Sequence, residues 1–319
     1  MTTSNESPNP TKRQAQAKSK PLSAASLTHW LMTGSKLLLT PDTYSKRNLR
    51  AQWQRSKRVA NLALAIQKGA GYAWHVDQTP NIAQGDIIGY IQKFCRTSLK
   101  ALEIEVIEVE PIPQQYSQVK TDSEGQAVQT GVLWVSNHVS WLDIPVIGSI
   151  IPTFFLSKAE IAKWPVIGWM ATTANTLFIS RGSGDADSVT QQMEKFLRDG
   201  YPVVFFPEGT TSDGRNVRRI HGKLLQAAMD TQVPIQPIVI CYVDEHGNFD
   251  ESIPYYGNMN MLQSVKRVLD NRPAKAYVLP LQPIIPGDKT RSQLTELLQQ
   301  RMSDGLARLQ QKVISQQQS

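Results

Sequence analysis

The stretch VLWVSNHVSWLD, residues 132–143, joins a short apolar run to a polar loop that carries a histidine and an aspartate. The apolar residues 132–136 predict a buried strand, and His138 follows where open α/β sheets place functional side chains. Asp143 comes five residues later, and positions i and i+5 of one helix do not share a face. We therefore expect His138 in a loop and Asp143 at the start of a helix, with Pro145 in its first turn.

Further along the chain, short apolar runs alternate with segments of helical periodicity. Strands are predicted at residues 103–110, 153–157, 176–180, 202–206, 235–243 and 275–281, and helices at residues 188–198, 223–231, 259–270 and 292–313. Near-continuous apolar strands separated by helices predict an α/β fold with a central, mostly parallel sheet flanked by helices. An N-terminal amphipathic helical region is expected to precede this sheet.

The domain organisation follows from changes in composition. Residues 1–22 are polar and rich in Ser, Asn, Gln, Lys and Pro, which predicts a disordered tail. Residues 23–94 are assigned to a basic amphipathic helical region at a membrane interface. Residues 95–319 are assigned to the α/β domain that carries the chemistry.

The segment of residues 43–76 is strongly basic and contains no acidic residue. Leu49, Trp53, Ala60 and Leu64 recur among its cations at helical spacing. This pattern fits an interfacial membrane helix, but it equally fits a helix with a core-facing stripe and a solvated basic face. A shorter amphipathic helix is expected at residues 26–39. The cations of the segment are Lys46, Arg47, Arg50, Arg55, Lys57, Arg58 and Lys68.

The net charge of +7 indicates an anionic partner, such as a membrane surface, a nucleic acid or an acidic carrier. No apolar run approaches the roughly 20 residues of a spanning helix, and the N-terminal residues lack a secretory pattern. These features predict a cytoplasmic protein that touches a membrane without crossing it. No recognition module for nucleic acid is identifiable. Cys95 and Cys241 have neither metal-ligand spacing nor a disulfide framework and are expected to be structural thiols.

Polar side chains follow three more of the predicted strands. Lys158 follows residues 153–157, Arg181 follows residues 176–180, and the turn Pro207-Glu208-Gly209-Thr210 follows residues 202–206. A parallel sheet would gather these groups with His138 at one edge. Arginine and lysine at that edge are suited to an anionic group, and Glu208 and Thr210 are expected to expose hydrogen-bonding groups there.

If His138 and Asp143 meet, their roles follow from their chemistry. Asp143 would accept the proton of one imidazole nitrogen and fix the tautomer, so the other nitrogen could take a proton from an attacking hydroxyl. Neither Ser136 nor Ser140 lies in a Gly-x-Ser-x-Gly elbow. The hydroxyl of the substrate itself would then be the nucleophile, in a direct transfer without a covalent enzyme intermediate.

Four motifs occur in an order and at spacings that resemble the PlsC-like glycerolipid acyltransferases, typified by bacterial 1-acylglycerol-3-phosphate acyltransferase. The resemblance covers roughly residues 95–285 and includes the segment around Ser157-Lys158 and Trp164-Pro165. The motifs are Asn137-His138-x4-Asp143, Leu177-Phe178-Ile179-Ser180-Arg181, Phe206-Pro207-Glu208-Gly209-Thr210 and Val233-Pro234-Ile235-Gln236-Pro237.

The resemblance implies that His138 is the general base and Asp143 its orienter. It implies that Lys158 and Arg181 bind the anionic head of a lysophospholipid acceptor, and that Glu208, Gly209 and Thr210 shape the acceptor site. The acyl donor would be acyl-CoA or acyl-acyl carrier protein as co-substrate, and no metal or other cofactor is needed. The family further implies phospholipid biosynthesis at the cytoplasmic face of the inner membrane, by a peripheral or monotopic protein with no nucleic-acid partner.

The leading acceptor under this resemblance is 1-acyl-sn-glycerol-3-phosphate, which would give phosphatidic acid. Many members with that acceptor have arginine directly after Glu-Gly-Thr, whereas this chain has Thr211. The form Thr211-Ser212-Asp213-Gly214 is similar to a branch that includes lyso-ornithine lipid acyltransferases, although Arg215, Arg218 and Arg219 could restore the charge. A non-catalytic membrane- or nucleic-acid-binding protein is the alternative from another class, against which the intact His138 and Asp143 argue.

Overall fold

The computed structural model describes residues 49–113, 131–180, 184–270 and 274–315, together with isolated positions 26, 29, 33 and 115. The predicted tail at residues 1–22, most of the helix predicted at residues 26–39, and Arg181 lie outside the described residues. The elements in chain order are α1 (Leu49–Gln78), α2 (Gln84–Leu102), β1 (Ile104–Glu108), β2 (Leu133–Ser136), α3 (Asp143–Ile150), β3 (Phe154–Lys158), α4 (Ala159–Ala162), α5 (Pro165–Thr173), β4 (Leu177–Ile179), α6 (Ala186–Arg198), β5 (Val203–Phe205), a 3-10 turn (Lys223–Leu225), α7 (Gln226–Thr231), β6 (Ile235–Val243), α8 (Met261–Asp270), β7 (Ala274–Pro280) and α9 (Arg291–Ser315).

The described strands form one seven-stranded sheet in the order β1-β7-β6-β2-β5-β3-β4. The strands from β6 to β4 are parallel to one another. The β6–β7 pair is antiparallel, and β1 pairs in parallel with β7, so these two strands run the other way. The prediction of a mostly parallel sheet flanked by helices is therefore confirmed.

Both faces of the sheet are covered, which explains why its central strands are apolar at almost every position. Along β2, Leu133 and Val135 point into a core built with α6, α7 and α9. Trp134 lies between them and points into the opposite core, built with α1, α2, α3 and α8. Because successive side chains of a strand point to opposite faces, both faces of the sheet pack against helices. The ends of the strands remain available for a site.

Helix α1 is fastened to the rest of the protein by two arginines that the sequence assigned to a basic surface. Arg55 and Arg58 are only 4% and 3% exposed. Arg55 pairs with Asp270 at the end of α8, and Arg58 donates to Glu103 at 2.9 Å and to the carbonyl of Leu269 at 3.3 Å. The expectation that these two cations face solvent or a membrane is therefore wrong: both guanidinium groups are buried against carboxylates that are themselves only partly exposed.

The opposite side of α1 carries large apolar side chains that the protein leaves uncovered. Leu49, Trp53, Leu64 and Trp74 are exposed by 55–84% and follow one another at helical spacing. Helix α1 thus has a core-facing side and, opposite it, an exposed apolar stripe. The alternative in which Leu49, Trp53 and Leu64 face the core is wrong, and the membrane contact stays a prediction. No helix within the described residues is long and apolar enough to cross a membrane. The proposed domain boundary at residues 94/95 stays a prediction, and α2 continues across it.

Candidate active site

His138 and Asp143 meet as their spacing predicts. Helix α3 begins at Asp143, and the backbone N–H of Asp143 donates to the carbonyl of Ser140 at 3.1 Å, which turns the chain back on itself. The imidazole Nδ1 of His138 lies 2.7 Å from Asp143 Oδ2. The expected placement of histidine in the loop and aspartate at the helix start is confirmed.

The Asp143 carboxylate is fully buried and surrounded by donors. Besides His138, its Oδ2 accepts hydrogen bonds from the backbone N–H groups of Val139 at 2.7 Å and Ser140 at 2.9 Å. Its Oδ1 accepts a hydrogen bond from the hydroxyl of Tyr242 at 2.8 Å. Both oxygens of the carboxylate thus have hydrogen-bond donors, which fixes the orientation of Oδ2 toward the imidazole.

The ring of His138 is held on a second side by an aromatic neighbour. Phe206, which follows β5, stacks on it with ring centroids 4.0 Å apart and an interplanar angle of 14°. With Nδ1 directed at Asp143, Nε2 is the nitrogen that remains to take a proton. Stacking and hydrogen bonding together fix the direction in which Nε2 points.

Asn137 ties the histidine loop to the centre of the sheet. Its side-chain amide donates to the carbonyl of Ile240 at 3.0 Å and accepts from the N–H of Ile240 at 2.8 Å. The side chain thereby continues the pairing of β2 with β6 beyond Ser136, the last residue of β2. Sequence reasoning missed this role, although an amide directly after a strand can imitate one more peptide group.

Glu208 joins the two loops that follow β2 and β5. Its Oε1 accepts the backbone N–H of His138 at 2.8 Å, and its Oε2 accepts the backbone N–H of Arg218 at 3.0 Å. The expectation that Glu208 exposes a hydrogen-bonding group is wrong, because the side chain is buried. That burial raises the pKa of Glu208 from 4.5 to about 7, although the two backbone donors act against the rise.

The loop after Glu208 interlocks with the histidine loop. Gly209 has a φ of 64°, a conformation that L side chains avoid, and lies exposed beside the half-buried Thr210. Ser212 donates its backbone N–H to the carbonyl of His138 at 2.8 Å. Thr211 donates its hydroxyl to the carbonyl of Tyr255. The position where the resemblance led us to expect an arginine is therefore occupied by a threonine that links two loops.

The remaining cations predicted for the site differ in their surroundings. Lys158 is the last residue of β3 and its side chain is exposed. Arg215 pairs with Glu251 and lies 5.1 Å from the ring centroid of Phe249. Arg218 and Arg219 are exposed. Because β2, β5, β3 and β4 are parallel neighbours, the residues that follow them lie at one edge of the sheet.

The described part of the chain contains no group of three or more His, Cys, Asp or Glu side chains that could hold a metal ion. Cys95 and Cys241 are buried, and burial raises the pKa of each thiol to about 12. Such thiols stay protonated, so neither is suited to act as a nucleophile at neutral pH. The chemistry available at this edge of the sheet is that of an oriented histidine base.

The part of the chain that builds this site is similar to known acyltransferases. The Acyltransferase family model matches residues 103–241. A lyso-ornithine lipid O-acyltransferase from Pseudomonas aeruginosa is 40% identical over 176 residues, which cover 55% of this chain and 68% of that relative. A 1-acyl-sn-glycerol-3-phosphate acyltransferase from Neisseria gonorrhoeae is 35% identical over 140 residues, which cover 44% of this chain and 54% of that relative.

The fold is also that of a solved member. PlsC, the 1-acyl-sn-glycerophosphate acyltransferase from Thermotoga maritima, aligns with a TM-score of 0.57 at 19% identity, covering 82% of this chain and 98% of that chain. The structural likeness shows the fold, and the 40% identity across two thirds of the Pseudomonas relative shows the family. This chain belongs to the PlsC-like acyltransferase family and is an O-acyltransferase of the lysophospholipid type.

Proposed function

We propose that the protein transfers a fatty acyl chain from acyl-CoA or acyl-acyl carrier protein to the hydroxyl of a lysolipid, with His138 as general base. The observation that carries this proposal is the 2.7 Å contact between His138 Nδ1 and the buried Asp143. The carboxylate fixes the tautomer in which Nε2 can take a proton, and it stabilises the imidazolium that forms when Nε2 does so.

The proposed reaction is a single displacement at the thioester. Nε2 of His138 takes the proton of the lysolipid hydroxyl while the oxygen attacks the thioester carbonyl. The tetrahedral adduct collapses as the carbon–sulfur bond breaks, and His138 returns the proton to the leaving thiolate. Ser136 and Ser140 are both fully buried, which supports a transfer without an acyl-enzyme.

We propose lyso-ornithine lipid as the acceptor. A phosphomonoester carries up to two negative charges and needs cations beside it. Thr211 replaces the usual arginine and its hydroxyl is engaged by Tyr255, while Arg215 is paired with Glu251. The relative from Pseudomonas aeruginosa, named for that acceptor, supports this choice.

The second candidate acceptor is 1-acyl-sn-glycerol-3-phosphate, whose acylation gives phosphatidic acid. The exposed Arg218 and Arg219 favour it, because they lie just beyond Glu208 and could meet a phosphate. The similarity to the enzyme from Neisseria gonorrhoeae points the same way.

A panel assay distinguishes the two acceptors. Purified protein is incubated with a radiolabelled acyl-CoA, and in parallel with acyl-acyl carrier protein, and either lyso-ornithine lipid or 1-acyl-sn-glycerol-3-phosphate. We expect kcat/KM to be higher with lyso-ornithine lipid. Higher kcat/KM with 1-acyl-sn-glycerol-3-phosphate would reverse the choice of acceptor, and transfer to neither lipid would reject the proposed reaction.

We further propose that α1 holds the enzyme on an anionic membrane, at the cytoplasmic face where these donors are found. The support is the exposed stripe of Leu49, Trp53, Leu64 and Trp74. Lys57 and Lys68 are exposed on the same helix, and the ammonium of Lys57 lies 5.7 Å from the ring centroid of Trp53. Apolar side chains flanked by lysines are the composition of helices that lie in the lipid headgroup region.

A further inference from the structure

We propose that Tyr242 is a positioning residue for acyl transfer, because it holds Asp143 in the orientation that directs the imidazole of His138. The inference rests on the proposed general-base role of His138. Tyr242 lies on β6, 99 residues from Asp143 in sequence, and belongs to none of the four motifs. It is also one residue beyond the end of the Acyltransferase family match.

The contact between the two side chains is direct and buried. The Tyr242 hydroxyl donates to Asp143 Oδ1 at 2.8 Å, with both residues in the core under the histidine loop. The other oxygen, Oδ2, receives its three donors from His138 and the next two backbone N–H groups. Among the described residues, Tyr242 supplies the side-chain donor for Oδ1.

The two oxygens of Asp143 therefore have separate partners. A carboxylate oxygen that is buried without a donor is costly, and the carboxylate would rotate to find one. Rotation would move Oδ2 away from Nδ1 of His138, and with it the direction of Nε2. By occupying Oδ1, Tyr242 removes this alternative orientation.

Tyr242 can act as a donor over the whole working range of pH. Burial raises the pKa of Tyr242 well above its ordinary value, and the neighbouring negative charge of Asp143 raises it further. The phenol therefore keeps its proton and cannot become a second anion beside Asp143.

Strand β6 holds the histidine loop at both ends. Ile240 pairs through its backbone with the side chain of Asn137, before His138, and Tyr242 bonds Asp143, after it. Residues 240 and 242 lie on one face of the same strand. One rigid element thus sets the positions of the base and its orienter together, which is how a precise site is best supported.

The test is Tyr242→Phe, which keeps the ring and removes only the hydroxyl. We expect kcat to fall about 10- to 100-fold, because the variant loses one hydrogen bond to a charged group. KM for donor and acceptor should change less than about twofold. The acid limb of the kcat–pH profile should move as well, because that limb reports protonation of the proposed base, whose imidazole Asp143 orients. The matched control is Tyr277→Phe on the neighbouring β7, whose ring is also buried and faces Cys241 across the β6–β7 pair.

The outcomes separate this inference from the proposed function. Wild-type kcat and pH profile in Tyr242→Phe, or a rise in KM alone, would overturn the role of Tyr242. A fall in kcat without movement of the acid limb, or an equal fall in Tyr277→Phe, would show a structural contribution only and would also overturn it. His138→Ala is assayed beside them: full activity in that variant rejects the proposed function itself, whereas its inactivity beside an unaffected Tyr242→Phe rejects only the positioning role.

Discussion

The backbone N–H of His138 donates to Oε1 of Glu208 at 2.8 Å. The loop that carries the proposed general base is therefore held in place by the buried glutamate of another loop. Glu208 also accepts the N–H of Arg218, and these two contacts close a bridge between the loops that follow β2 and β5. A residue that sequence alone assigns to the acceptor site therefore acts on the shape of the site from inside the protein.

Glu208 makes the stability of the protein depend on pH. Its folded-state pKa of about 7 lies above the ordinary 4.5, so the folded state binds the proton more tightly than the unfolded state. This contribution to the free energy of unfolding is present below pH 4.5 and is lost as pH rises through about 7, by about 3 kcal/mol in total.

The measurement is urea unfolding of wild type and Glu208→Gln between pH 4.5 and pH 8. We expect the free energy of unfolding of wild type, relative to that of Glu208→Gln, to fall as pH rises through about 7, because glutamine does not titrate. Glutamine offers only one acceptor oxygen to two backbone N–H groups, so activity should fall as well. Glu160→Gln, at an exposed site, is the control, and a pH-independent difference would contradict the role of Glu208.

Replacing the proposed base should abolish activity and leave the fold intact. His138→Ala removes the only group at this edge that is oriented by a buried carboxylate among the described residues, so we expect at least a 100-fold loss of kcat. His246→Ala, at an exposed turn, should be unchanged. Circular dichroism checks the fold, and full acyl transfer by His138→Ala would reject the mechanism.

The buried arginines of α1 should matter for stability. Arg58→Ala removes the donor to the buried carbonyl of Leu269 and the closest cation of the half-buried Glu103, so we expect a cost of about 2 kcal/mol of unfolding free energy. Lys195→Ala, which breaks the exposed pair with Asp199, should cost less than about 0.5 kcal/mol. Denaturant unfolding measures both, and equal effects would contradict the burial of Arg58.

The exposed stripe of α1 should determine binding to membranes. Substituting Trp53 and Trp74 together by serine removes two large apolar side chains from the stripe, and we expect about a tenfold or larger loss of binding to anionic vesicles. The control is Ile285→Ser, which removes a similarly exposed apolar side chain after β7. Vesicle sedimentation measures the effect, and unchanged binding of the double variant would reject α1 as the membrane contact.

Much of the fold could be predicted from periodicity, because each strand of a sheet covered on both faces is a short apolar run that is recognisable in the sequence. Strand β6 was predicted at residues 235–243 and occupies Ile235–Val243. Helix α5 was not predicted, because it contains no charged residues and therefore shows no alternation of apolar and polar faces at helical spacing. Its position depends on packing against α1, through Trp169 and Met170 among others.

The site was predictable where its groups are neighbours in sequence and not where they meet through space. His138 and Asp143 are five residues apart, so their meeting follows from one turn of chain. Tyr242 and Phe206 reach the same pair from β6 and from the end of β5, and no local pattern encodes such a contact. The burial of Arg55 has the same cause, because its partner Asp270 lies at the far end of α8.

The fastening of α1 by Arg55 and Arg58 has a geometric consequence. These two arginines attach α1 to the end of α8 and to the α2–β1 corner, which sets the orientation of the helix on the protein. If the exposed stripe of α1 lies in lipid, the fold sets the distance between the membrane surface and His138. The reach from membrane to base would then select acceptors by the distance between their buried tail and their reactive hydroxyl.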